Sequence, residues 1–168
     1  MALSIDPATP QDVPLILDLI RELAEYEREP DAAQATPAQI HDALFGERSA
    51  AEAVIARVDG EAAGWALWFQ NFSTWTGKPG LWLEDLYVRP QYRRRGVGKA
   101  LLTWLARLCV EREYGRFEWS VLDWNTAAVE FYRALGAEAM SEWTTQRLSG
   151  EALRRLADLD RRESQESY

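Results

Sequence analysis

Apolar positions recur along this chain with two different periods, and the switches between them lay out an order of elements. Residues 2–5 read as a first strand. Thr9 and Pro10 then open a helix, Thr9 as cap and Pro10 at its first position. Val13, Ile16, Leu17, Ile20, Leu23 and Ala24 continue it at helical spacing, and Glu22, Glu25, Glu27, Glu29 and Asp31 crowd its far end. Thr36 and Gln39 form a capping-box pattern for a second, short helix that stops near Gly46. Residues 53–58 and 62–72 are apolar runs joined by Asp59-Gly60, a hairpin signal.

Residues 71–80 read as a loop holding Trp75, Gly77 and Lys78, and 81–88 as another strand, ended by Pro90. From 97 to 114, Val97, Leu101, Leu105 and Leu108 share one helix face. A strand over 117–122 and a helix over 125–135, closed by Gly136, come next. Residues 139–148 hold one or two strands, Ser149 starts a last helix, and the chain after Asp160 is a polar tail. The expected fold class is α/β, a mixed twisted sheet with helices on both faces. We expect one domain over 1–160 and a tail over 161–168.

Composition narrows the function. Hydrophobic residues make up 47% of the 168 and charged residues 27%, the balance of a soluble globular protein. No apolar run approaches the roughly 20 residues that span a bilayer, and the first residues lack a basic start and an apolar signal core. A cytoplasmic location and no membrane partner are expected. The formal net charge of −8 argues against a nucleic-acid partner. One cysteine, Cys109, and one histidine, His41, leave no internal disulfide and no expected metal site. Cys109 falls on an apolar helix face, as a core residue does.

The chemistry-bearing stretch is Arg93-Arg94-Arg95-Gly96-Val97-Gly98-Lys99-Ala100, between an apolar strand and an amphipathic helix. Its glycines let backbone approach a bulky anion, and the first N–H groups of the helix have no internal partner, so a phosphate fits there. The spacing is neither a Walker loop nor a dinucleotide fingerprint. A basic surface turn with a glycine-capped helix start is the plain alternative.

Arg93, Gly96 and Gly98 form Arg-x-x-Gly-x-Gly, which resembles the pyrophosphate-binding turn of the GNAT acyltransferases. The likeness extends to Leu23-Ala24-Glu25-Tyr26-Glu27, Ser73-Thr74-Trp75, Leu83-Glu84-Asp85-Leu86-Tyr87-Val88, Val121-Leu122-Asp123-Trp124-Asn125, Tyr132-Arg133-Ala134-Leu135-Gly136-Ala137 and Gly150-Glu151-Ala152-Leu153-Arg154. In this order they resemble the diamine and polyamine (spermidine/spermine) N-acetyltransferases, more closely the thialysine N-epsilon-acetylating branch, over about residues 3 to 157. The resemblance implies a GNAT fold whose central parallel strands splay, acetyl-CoA as co-substrate in the gap, no metal, and a homodimer.

It further implies that Leu86, Tyr87 and Val88 meet the pantetheine through their backbone. Arg93, Arg94, Arg95, Gly96, Val97, Gly98 and Lys99 would hold the diphosphate, with Asn125 and Ala128 also at the cofactor. Asn125 reads independently as a helix cap. Tyr132 reads by periodicity as a core aromatic; the resemblance makes it the general acid. Tyr26, Glu27 and Trp75 correspond to substrate-contacting positions, where an aromatic face suits an ammonium group.

A protonated primary amine has a pKa of about 10, and only its neutral form attacks a thioester. Glu84 interrupts an apolar strand, which makes it the candidate to collect the proton or hold the amine; a salt-bridged edge carboxylate is the alternative. Asp85, expected on the opposite strand face, reads as structural. A strand-end N–H of Leu86 or Tyr87 could stabilise developing negative charge. Animal polyamine enzymes carry Asp-Pro-Trp where this chain has Ser73-Thr74-Trp75, which favours a lysine-like or short diamine substrate over a long polycation. The expected function is therefore acetyl-CoA-dependent N-acetylation of a small primary amine. A protein or peptide N-acetyltransferase and a non-catalytic acyl-CoA-binding sensor are the alternatives.

Overall fold

The computed structural model describes residues 1–159, so the tail expected over 161–168 lies outside the described residues. Strands β1 (Leu3–Pro7), β2 (Glu52–Val58), β3 (Glu61–Ser73), β4 (Lys78–Val88) and β5 (Phe117–Trp119) form one sheet in that order. Neighbours are antiparallel except β4 and β5, which run parallel. Three helices accompany them, α1 (Val13–Tyr26), α2 (Pro37–Phe45) and α3 (Val97–Glu111). These elements belong to one compact unit, Met1–Trp124. The second unit, Asn125–Tyr168, holds helices α4 (Thr126–Ala134) and α5 (Gly150–Ala157) and is described by itself.

Local signals act where they were expected. The Gln39 amide donates to Thr36 Oγ1 at 3.2 Å, and the Thr36 amide donates to Gln39 Oε1 at 2.9 Å, closing the capping box of α2. Asn125 Oδ1 accepts from the Ala128 amide at 3.3 Å and caps α4. Gly136, at φ +95°, follows that helix in the left-handed region.

Three expectations change. The loop over 71–80 shrinks to a tight tip, because Asn71, Phe72 and Ser73 pair with Gly80, Pro79 and Lys78. The strand over 117–122 ends at Trp119, which pairs with Leu83, the last β4 residue that β5 reaches. No strand forms over 139–148, and the segment holds a turn in which the Trp143 amide donates to the Met140 carbonyl at 3.1 Å.

Two apolar layers flank the sheet. Ile16 and Leu19 of α1 and Leu44 of α2 pack with Ile55, Trp65 and Tyr87 on one face. On the other, Trp68 meets Trp104 of α3, ring centres 5.7 Å apart. The two faces are set by a bulge. Trp68 pairs with Leu83 but Leu67 pairs with Asp85, so Glu84 is an extra residue on β4. Directly paired residues share a face. Leu83 therefore lies with Trp68 on the α3 side, while Asp85 lies with Leu67, and Tyr87 with Trp65, on the α1 side. An unbroken strand would have placed Leu83, Asp85 and Tyr87 on one face.

Beyond the bulge β3 and β4 approach closely at Gly64, opposite Val88. A Cβ there would stand 2.5 Å from the Tyr87 carbonyl oxygen and 3.2 Å from Val88 Cα, both backbone. Gly64→Ala is expected to cost about 1–3 kcal/mol through forced separation of the strands. Urea denaturation would register it as a lowered midpoint with unchanged slope.

Candidate active site

The stretch from Arg89 to Lys99 builds a basic turn. After β4, a single 3-10 turn over Pro90–Tyr92 leads to Arg93 in an extended conformation, then to Arg94 at φ +61° and Gly96 at φ +79°. Gly96 is the residue before α3, and its left-handed geometry favours glycine. Nothing lies within 4 Å of where its Cβ would be, so the space above it is open. The first helical bond runs from the Ala100 amide to the Gly96 carbonyl at 2.9 Å. The amides of Val97, Gly98 and Lys99 precede that ladder and carry the positive helix end. Val97 turns its side chain into the core, and a Cβ on Gly98 would only touch Val88 Cγ2 at 3.7 Å. This open turn with unladdered amides fits a diphosphate.

The edge of β4 continues the cradle. Among the described residues β5 pairs only with Leu81, Trp82 and Leu83, so no strand covers Leu86, Tyr87 and Val88 on that side. Their backbone is the sort a pantetheine arm could pair with. Tyr87 buries its side chain in the core on the α1 face.

The carboxylates gather at the bulge. Glu84 is exposed and accepts a hydrogen bond from Trp82 Nε1 at 3.0 Å. β5 pairs with β4 only as far as Leu83, so Glu84 stands where that side of β4 becomes an open edge, and no ion pair to it occurs among the described residues. Asp85 corrects the sequence reading. The bulge turns it to the same face as Glu84, and its carboxyl is pushed up to about 6 by burial first, then by the charges of Glu84 and Glu27. Glu27, just beyond α1, is itself raised by burial. Glu27, Glu84 and Asp85 thus form a cluster in which the charges of the first two bear on Asp85, the member suited to proton chemistry near pH 6.

Glu22 of α1 is engaged elsewhere. Arg89 grips Glu22 through Nε and Nη2, at 2.9–3.2 Å, and donates Nη1 to the Ala62 carbonyl. A cavity of about 400 Å³ lies beside this pair, lined by Glu22, Glu25, Tyr87, Arg89, Pro90 and Gln91. A second, of about 370 Å³, sits among Leu44, Phe45, Trp68, Trp104 and the Glu52–Arg112 ion pair, and contains no expected site residue.

The remaining expected residues divide. Tyr26 ends α1, and Arg93 places its guanidinium carbon 4.8 Å from the Tyr26 ring centre. Arg94, Arg95 and Lys99 are exposed along the turn, Arg95 lying 5.9 Å from the Tyr92 ring. Trp75 is 81% exposed at the β3–β4 tip. About 20 Å of extended strand separates Lys78, beside that tip, from Glu84. The first unit therefore does not bring Trp75 to the carboxylates. Asn125, Ala128 and Tyr132 lie at the cap, in the first turn and near the end of α4, in the second unit. The sequence reading named neither Asp85 nor Arg89 among the candidate site residues. Two adjacent carboxylates inside an apolar strand were the available signal for the first; the Glu22–Arg89 pair left none.

The acetyltransferase (GNAT) family model matches residues 16–137, which span both units. A thialysine N-epsilon-acetyltransferase of Sus scrofa is 37% identical over 153 residues, covering 84% of this chain and 89% of the relative. An L-ornithine N5-acetyltransferase of Arabidopsis thaliana is 31% identical, over 91% of this chain and 87% of its own length. Among solved structures, an integron cassette protein of V. cholerae superposes with a TM-score of 0.78 at 24% identity, covering 94% of this chain and 98% of that one. With the mixed sheet and the open basic turn already in place, these likenesses establish that the chain belongs to the GNAT family of acetyltransferases.

Proposed function

We propose that this protein N-acetylates a small primary amine, a thialysine- or lysine-like amine or a short diamine, with acetyl-CoA as co-substrate. The observation that carries the reading is the Glu27–Glu84–Asp85 cluster at the β4 bulge, in the same unit as the diphosphate-fitting turn. A cationic amine suits that cluster, and the names of the curated relatives point to lysine-like and ornithine amines. The open, highly exposed hairpin tip leaves room for a peptide substrate as the second reading.

When bound, acetyl-CoA supplies the activated acetyl group. The amides at Val97–Lys99 and the exposed arginines hold its diphosphate, and the backbone of Leu86, Tyr87 and Val88 aligns its arm. Asn125 and Ala128 serve the same ligand on the family resemblance. Glu27 and Glu84 draw the ammonium in, with Tyr26 beside them, and Asp85 receives the proton. Tyr132 carries the phenolic proton that the leaving sulfur needs. A single domain over 1–160, a homodimer and a cytoplasmic location belong to the same reading. The family match across 16–137 supports the domain; the resemblance supports the dimer. No described helix is long and apolar enough to cross a membrane.

An amine panel of thialysine, lysine, ornithine, putrescine, spermidine and a lysine-bearing peptide tests the substrate directly. Turnover is expected to be greatest on thialysine or a short diamine, and exclusive turnover of the peptide would overturn the reading. Tyr132→Phe is expected to lower kcat by about 10²-fold with acetyl-CoA affinity nearly unchanged, as calorimetry would read it.

Asp85 makes a pH prediction. Its folded pKa, about 6, exceeds the ordinary carboxyl value of 3.8, so ionising it costs stability. That increment is fully present below 3.8 and is lost as pH rises through 6. Asp85→Asn should therefore melt above the wild type at pH 8, the difference shrinking toward pH 4. In the wild type, kcat/KM should rise through an acidic limb near pH 6, and the substitution should remove that limb.

A further inference from the structure

The arginine that opens the basic turn is exposed, yet its guanidinium is engaged by the protein itself. Arg93 Nε donates to the Val88 carbonyl at 3.0 Å, which ties the turn back to the end of β4. The guanidinium carbon lies 4.8 Å from the ring centre of Tyr26 and 5.7 Å from that of Tyr87. Tyr26 in turn stands 6.4 Å from Trp124, its ring tilted by 54°, and Arg28 covers Trp124 at 4.0 Å. Two cations and three rings thus form one ladder, Arg28–Trp124–Tyr26–Arg93–Tyr87, within the first unit.

The ladder joins parts of the chain with separate tasks. Tyr26 ends α1 and is followed by Glu27 of the carboxylate cluster; Arg28, at φ +65°, turns the chain away there. Val88 and Tyr87 are the β4 positions assigned to the cofactor arm, and Arg93 begins the diphosphate turn. Tyr26 is 40% exposed, and Arg93 covers part of its ring. A guanidinium held at one end by a backbone carbonyl suits that task, because a cation over a tyrosine face is favourable and its planar group stacks.

We propose that Arg93 is a positioning residue for the amine site: it clamps Tyr26, and with it Glu27, against the end of β4. The acetyl-CoA turn and the amine-binding end of α1 are then one mechanical piece. This inference rests on the amine acetyltransferase reading, and its test separates the two.

Arg93→Ala and Arg93→Lys would be compared with wild type at saturating acetyl-CoA, using the best amine of the panel. The alanine variant is expected to raise the amine KM at least about tenfold, and lysine, which restores the charge over Tyr26, to recover part of that loss. Hydrogen exchange of the amides over residues 22–29 is expected to accelerate in Arg93→Ala without any amine present. An unchanged amine KM at saturating acetyl-CoA, or unchanged exchange over 22–29, overturns the clamp. Wild type that turns over no amine, together with accelerated exchange in Arg93→Ala, sinks the functional reading and leaves the clamp standing.

Discussion

Glu84 has no partner on β3, and the geometry of the site follows from that one extra residue. β4 enters the bulge with Leu81 and Leu83 buried and leaves it with Tyr87 buried, yet these side chains lie on opposite faces of the sheet. The parallel ladder to β5 stops at Leu83, the residue before the bulge. A strand that gains a residue on one side bends and twists more strongly. Beyond this defect the β4 backbone has no strand beside it on the β5 side, and two neighbouring carboxylates come onto the α1 face.

Features made by residues near one another in the chain are legible in the amino-acid sequence. The capping box of α2, the cap at Asn125 and the glycine turn before α3 each need only a few consecutive residues to close, and each forms as read. The bulge is not legible, because it is a relation between β4 and β3 and leaves Leu83-Glu84-Asp85-Leu86 looking like an ordinary strand. Strict alternation therefore assigns Asp85 to the wrong face. Residues 139–148 fail for a related reason. Their apolar content suggests strands, but a strand exists only through its ladder, and a local turn takes the backbone instead.

Charge is distributed with similar economy. The chain is acidic overall, with a formal net charge of −8, and its basic turn is a local exception. Arg89 neutralises Glu22 at close range, and Arg112 does the same for Glu52 at the far end of the sheet. Glu27, Glu84 and Asp85 are left to face one another, and burial together with their mutual repulsion raises Asp85.

That raised value limits how the proton can leave. An amine near pKa 10 gives its proton to a carboxylate near 6 only against a gradient of about four units, or roughly 5 kcal/mol. A bound ammonium makes the gradient steeper, because its positive charge favours the ionised carboxylate. Complete transfer before attack would therefore add its full cost to the barrier. The neutral amine still carries N–H bonds. As its lone pair bonds to the acetyl carbon, the nitrogen becomes positively charged and far more acidic than the free ammonium, so for that second proton a base of pKa about 6 suffices. On the proposed reading Asp85 takes that second proton, and an ordinary carboxylate about two units lower would be the weaker base by roughly 3 kcal/mol.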